Sequence, residues 1–577
     1  MTLATLALAG ALALRVGASA DPAGDGVPMA TSELAATAAP SPPATTDRYS
    51  NIEVGDYVGP EVCGACHPEN HRGWQASLHA GMNRRASDPG AVRGDFDGAR
   101  LAYGGGIASF GRDGEDHVMT LAPAGRPTRR FRVTRTIGSR YLQEYVGVEV
   151  QTGDDGRDGT ELRLPFGYWL RAQAWLPRPY FDSWYGPEHG ADGALAVDPY
   201  RPDDAPWATR CAWCHNTYPF ELRALRAAER AIGHGLEQYF DLAADRRDAA
   251  SRAAIAVENR LPTDELVTVG ISCESCHLGG REHAENDQDI RFVPSSPDLR
   301  PHLDAPDLAG GRENSVVVVA ICAQCHSTPA PRFPDGAATR NSSEALDLAA
   351  SPCAPAIKCT DCHDPHRSGP GAAAPAQPAH LAACTGCHQQ LASPDVARAH
   401  AGHPDGAVTC LDCHMPRIVQ GVSTMVRSHR ISSPTDPEML ASAAPNACNL
   451  CHLDRSLTWT LDALDFTWGR HLTPAASWRR QYADGLDAPL GPQWLASASG
   501  TLRILAASAY ARSPLGRAAL PALIGILDDP VAYDRMWVLF AIEDVLGRRL
   551  TSAEYDPIAE PATRAAQARG LRERGLR

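Results

Sequence analysis

Residues 359–388 read CTDCHDPHRSGPGAAAPAQPAHLAACTGCH, and their reading decides the fold. Cys-x-x-Cys-His stands at each end, as Cys359/Cys362/His363 and Cys384/Cys387/His388. Outward from this stretch the same pattern recurs at Cys63/Cys66/His67, Cys211/Cys214/His215, Cys273/Cys276/His277, Cys322/Cys325/His326, Cys410/Cys413/His414 and Cys448/Cys451/His452. Eight copies absorb 16 of the 17 cysteines and leave Cys353 over.

The spacing has a chemical reason. Two thiols three positions apart reach the two vinyl groups of one haem, and the next residue, His, lies beneath the ring and binds iron. Zinc ribbons, disulfides and thioredoxin-like pairs also use Cys-x-x-Cys, but none requires His after every second Cys. Eight covalently attached haem c groups are therefore expected. Each macrocycle brings apolar surface and two crosslinks, much as disulfides and metals support small domains. That suits a chain in which Gly (50) and Pro (46) favour turns over long elements. Covalent haem attachment takes place outside the cytoplasm, so export is expected.

The ends and composition agree. Residues 2–14, TLATLALAGALAL, are an apolar run too short to span a membrane, followed by Ala18-Ser19-Ala20, an A-x-A cleavage site. Residues 1–20 are read as a signal peptide, despite the lack of a basic residue before the run, and no later stretch reads as a transmembrane segment. The Ala/Pro/Thr/Ser-rich 21–48 is read as a flexible linker. The net charge of −14 argues against a nucleic-acid partner. Lys358 is the one lysine, which excludes catalysis by several lysines.

The motifs begin at 63, 211, 273, 322, 359, 384, 410 and 448, so the last five are crowded and haem–haem contacts are expected. The long first gap needs its own structure. Alternation and turn signals (GRDGED, GDDGRDG) over about 98–165 predict a small antiparallel β insertion. Residues 219–258 carry helical periodicity and contain His234. After His452 the stretches LTWTLDALDFTWGRHL, TLRILAASAYARS, GRAALPALIGILDD and VAYDRMWVLFAIEDVLGRRL predict helical hairpins stacked as a short solenoid. The expected fold is mainly α with extensive loops: a first haem segment (49–97), a β-rich insertion (98–205), a multihaem core (206–455) and an α-helical, HEAT-like tail (456–577).

The segments GPEVCGACHPENHRGWQASLH (59–79), GISCESCHLGGREH (270–283), CTDCHDPH (359–366), HAGHPDGAVTCLDCHMP (400–416), RSHRI (427–431) and PNACNLCHLDRS (445–456) resemble, in order, multihaem c-type cytochromes that carry a tetratricopeptide or HEAT-like tail. The resemblance covers about 50–460 and implies an exported electron-transfer cytochrome, without supplying a substrate. It singles out as sixth ligands His79 in WxxSxH, His283 six residues after His277, His366 in CHDPH, and His429 in SHRI. His400 and His403 precede the seventh motif, and His380 lies four residues before Cys384; these join the candidates. His71, His117, His189, His234, His302 and His471 are weaker, with His234 balanced between ligand and surface. Relatives often carry a His about where Cys353 stands here, which leaves Cys353 as a thiolate ligand or a buried free thiol.

Two histidines per iron suit electron transfer, and an open position suits catalysis. Three functions follow: an electron carrier between redox partners, an oxidoreductase of a small nitrogen or sulfur compound at one open haem, or a conduit subunit docking through its tail. The Cys-x-x-Cys-Lys motif of well-known multihaem nitrite reductases is absent. Haem propionates and ferric iron together bring the mature holoprotein to roughly −23, which calls for partners with basic docking patches and salt-sensitive association.

Overall fold

In the computed structural model, the strands come from sequence that alternates. Phe110 and Phe131 are fully buried on strands where both adjacent residues are more exposed. This is the period of two that a half-buried strand requires. The structure describes residues 49–103, 106–150, 159–181, 207, 211–230, 235–249, 266–367, 377–404 and 406–575. The expected signal peptide, the linker, the GDDGRDG turn, His189 and His234 lie outside these residues. The described residues belong to one unit, Arg48–Arg577.

Nine strands form one antiparallel sheet: β1 (Asn83–Arg85), β2 (Ala99–Tyr103), β3 (Gly106–Asp113), β4 (Asp116–Pro123), β5 (Arg129–Ile137), β6 (Leu142–Glu149), β7 (Leu162–Arg163), β8 (Phe166–Trp169) and β9 (Ala174–Pro177). The order is β2-β3-β4-β5-β6-β8-β9, with β1 on β5 and β7 on β6. The sheet curls until it nearly closes, and Phe110 of β3 stacks on Trp175 of β9 at 3.6 Å.

The molecule is thus mixed, 40% helix and 16% strand, rather than mainly α with a small insertion. The reason lies in two kinds of strand. FGYW of β8 is buried at all four positions, so it shows no alternation to read. In the 219–258 stretch, the helix Phe220–Arg230 gives way to a strand, Phe240–Leu242, paired with Leu299–Pro301. Phe240 and Leu242 are buried there and Asp241 is exposed.

After the last motif the chain is helical at Leu457–Trp468, Gly500–Ala511, Gly516–Gly525, Ala532–Leu546 and Pro561–Glu573. Ser456 caps the first by accepting from the Trp459 amide, and Gly469 ends it at φ 62°, where a side chain would be strained. Ala532–Leu546 is buried on every face up to Glu543. Its Phe540 stacks on Trp169 of β8 at 4.8 Å, and Arg171 pairs with Asp544, so tail and sheet share one core. Among the described residues no helix is long and apolar enough to cross a membrane.

Candidate haem-binding site

Each motif lies on a single turn or short helix, which sets its two thiols and its His on one side. Pro60–Cys66, Ala212–His215, Glu274–His277 and Cys410–His414 are examples. The residues inside the motifs add anchors. Glu274, in CESC, is buried and accepts the amides of Val58 (2.9 Å), Gly59 (2.8 Å) and Gly280 (3.1 Å), tying the first-motif segment to the third. Asp412, in CLDC, caps its own turn through Thr409 and pairs with Arg427 at 2.7 Å.

Five motif histidines face a second imidazole. The ring centroids of His67 and His283, His277 and His366, His363 and His429, and His414 and His400 are each 6.2 Å apart, and those of His452 and His403 are 6.3 Å apart. An imidazole nitrogen binds a metal at about 2.0 Å and lies about 1.1 Å from its ring centroid, so the centroids of two imidazoles on opposite sides of one iron would sit about 6.2 Å apart. Ring contacts elsewhere run from 3.6 Å (Phe110–Trp175) to 6.2 Å (His363–His380, at 61°, whereas the five pairs are within 29° of parallel). Five separations this uniform have the character of a bond length, and the residues present fit haem iron between them.

The other ring nitrogen supports the same fit. A metal-bound His usually donates its remaining N–H to a carbonyl or carboxylate, which fixes the ring. Nδ1 of His283 meets the Gln288 carbonyl at 2.7 Å, that of His403 the Ala401 carbonyl at 2.7 Å, and that of His414 the Ser432 carbonyl at 2.8 Å. His326 Nδ1 meets Glu344 Oε2 at 3.0 Å, which raises the His and lowers the Glu in pKa. In each case Nε2 is left for iron. His380 is the reverse: its Nε2 meets the Cys362 carbonyl at 3.0 Å, and its ring lies 6.2 Å from His363 at 61°.

His79 is carried on a turn whose carbonyl accepts from Met82 and Ile271. Burial first, and then the charge of His326, pulls it down to about 4. Its neighbour is thus the fourth motif. Burial and the surrounding histidines His366, His67 and His283 likewise hold His277 at about 4. Among the described residues, neither His215 nor His388 faces a second imidazole; His215 is against Trp207 and His388 is exposed. His302 pairs with Asp241, His471 with Asp465, His71 with Glu61, and His117 meets the Phe96 ring. Cys353 is half-buried, beside Cys384. Lys358 is engaged by Asp361 at 3.1 Å.

Two features escaped sequence reading. Glu344 orients His326 from 18 residues away, with no motif to mark it. Arg417, Arg427 and Arg512 converge near Cys451. Burial and the like charge of Arg417 lower Arg512 to about 10. Such a cluster suits haem carboxylates.

A second kind of fit comes from burial. Between Ser351 and Leu411 no described residue is buried. The 49 described residues of this interval, without a side-chain core, are what attached macrocycles would cover.

Residues 394–462 match the family model for cytochrome c552, and they contain the Cys410 and Cys448 motifs. Over this segment the chain is similar to cytochrome c552, and covalently bound haem is the group that c-type cytochromes carry. No curated protein matches the chain. A solved structure, the outer cell wall cytochrome OcwA, aligns at 16% identity over 90% of this chain and 100% of its own, with a TM-score of 0.37, which is too low to support an argument.

Proposed function

We propose that this is an exported octahaem c-type cytochrome that passes electrons along its haems between periplasmic or cell-surface redox partners. The observation that carries this reading is the set of five imidazole pairs at one iron-spanning separation. The pairs support His67/His283, His277/His366, His363/His429, His414/His400 and His452/His403 as the residues that would hold five irons, and His79, which feels the charge of His326, would complete a sixth. Two fixed imidazoles keep iron low-spin in both oxidation states, which keeps reorganisation small during electron transfer.

What the chain itself contributes is placement and charge. Its carbonyls and Glu344 hold the imidazoles in orientation, and its arginines offset propionate charge. The acidic surface selects partners with basic patches, and the helical tail, HEAT-like in its sequence pattern, is a docking module. The test is haem content per chain with a reversible redox titration. Eight haems that all cycle support the reading, and fewer than eight overturn it.

A second reading rests on His215 and His388, which face no second imidazole among the described residues. An open iron there is where an oxidoreductase would bind a small nitrogen or sulfur compound. Carbon monoxide added to the reduced protein separates the two readings: spectral change at one haem favours the enzyme, and none favours the carrier.

A further inference from the structure

Segments of different motifs pack together, and the pattern is not the order of the sequence. Glu274 of the third motif accepts the amides of Val58 and Gly59, which lead into the first. Cys214 Sγ of the second motif lies 3.9 Å from the carbonyl of Gln324, inside the fourth. The helix Ser315–Ala323, which carries Cys322 of the fourth motif, packs on the turn Cys359–Asp361 of the fifth. The helix Gln377–Thr385, which carries Cys384 of the sixth, packs on Cys410–His414 of the seventh. A haem lies within bonding distance of its two cysteines, so motifs packed together bring two haems together.

The histidine contacts support the first and third arms independently. His366 faces His277 of the third motif and stands three residues after His363 of the fifth, so one turn of chain serves both. His283 faces His67 of the first motif and stands six residues after His277. His400 and His403, three apart, face the seventh and eighth motifs. Nε2 of His380, four residues before Cys384, bonds the Cys362 carbonyl at 3.0 Å and ties the sixth motif to the fifth.

We infer that the eight attachment sites form a branched array whose branch point is the segment Cys359–His366, with three arms ending at the Cys63, Cys211 and Cys448 motifs. The first arm runs through the Cys273 motif, the second through the Cys322 motif, and the third through the Cys384 and Cys410 motifs. The turn Glu274–His277 also packs on the helix Ser315–Ala323, so the roots of the first two arms lie together. The inference rests on the octahaem reading. An electron delivered at any one end then has two exits, and the protein can serve three partners rather than two.

The branch is tested by counting neighbours. His429→Met leaves the fifth-motif haem covalently attached and changes one of its ligands; His403→Met does the same at the eighth-motif haem, the end of an arm. Electron paramagnetic resonance (EPR) signals and midpoint potentials are followed in titrations of the holoprotein and of both variants. Beyond the substituted haem itself, His429→Met is expected to shift three other haems, and His403→Met one. Two shifted neighbours for His429→Met, as a linear order of motifs requires, would overturn the branch. If His429→Met does not accumulate, His363→Met asks the same question from the opposite face. Haem content of the parent protein separates the failures: fewer than eight haems overturns the octahaem reading, whereas eight haems with two shifted neighbours overturns the branch alone.

Discussion

The curled sheet and the segment between Ser351 and Leu411 differ in what fills their interiors. The sheet encloses Phe110, Met119, Phe131, Tyr145 and Phe166, all fully buried, with Trp175 stacked among them. The later segment buries none of its described side chains, although it carries two whole motifs, His366, His400 and His403. Apolar burial contributes about 25 cal/mol per Å² and has to offset about 1–2 kcal/mol of backbone entropy per residue. The sheet meets that cost with its own aromatics. The other segment has no comparable means, so its order depends on what its cysteines hold. On the proposed octahaem reading, the chain would give this interior to its cofactors and keep side-chain cores for the flanks.

The contrast can be broken in several ways. Replacing Cys384 and Cys387 by Ser should have the largest effect, with residues 352–410 losing protection against proteolysis while the sheet and tail keep theirs. Equal loss in all three regions would remove the distinction. Trp175→Ala should act on the opposite side of the comparison. It removes the stack on Phe110 and costs about 3–5 kcal/mol, as large aromatic truncations do. Chemical denaturation followed by tryptophan fluorescence reads the loss, and the haem spectrum should be unchanged before the transition.

His400→Met should raise the midpoint potential of one haem, since Met/His ligation sits higher than bis-His. His302→Met and His471→Met, whose rings are engaged by Asp241 and Asp465, should leave the titration unchanged. A shift in either control would count against the ligand assignment.

The smallest effect concerns pH. Burial, and then Asp529, raises Asp534 from its ordinary 3.8 to about 6 despite Arg503 at 2.8 Å. Between those values the folded chain binds a proton that the unfolded chain does not. Stability from this group therefore grows as pH falls from 7 to 5 and is lost as pH rises through 6. The melting temperature of the parent relative to Asp534→Asn should be higher at pH 5 than at pH 7, and a pH-independent difference would exclude the linkage.

The site was largely legible in the sequence and the fold less so, for physical reasons. Cys-x-x-Cys-His is a local pattern, because one turn of chain must present three ligating groups to one cofactor. His79, His283, His366 and His429 were read as candidates through the family resemblance, and His400 and His403 through their place before the seventh motif. Glu344, Ser432 and the three arginines were not readable, because they reach their targets through tertiary contacts that leave no local spacing. Strands β2 to β9 fall within the β-rich 98–205 expected from the sequence, but the pairing of β8 and β9 into a nearly closed sheet could not be seen in advance. Four buried residues in a row look the same in strand and helix. The helical periodicity of 219–258 failed at Phe240–Leu242, where pairing with Leu299–Pro301 overrides local preference.

The account stands on imidazole pairs spanning iron, and low-temperature EPR of the oxidised holoprotein, integrated against its haem content, tests it most directly. At least five irons per chain should be low-spin with bis-histidine signals. A spectrum in which most irons are high-spin would contradict it.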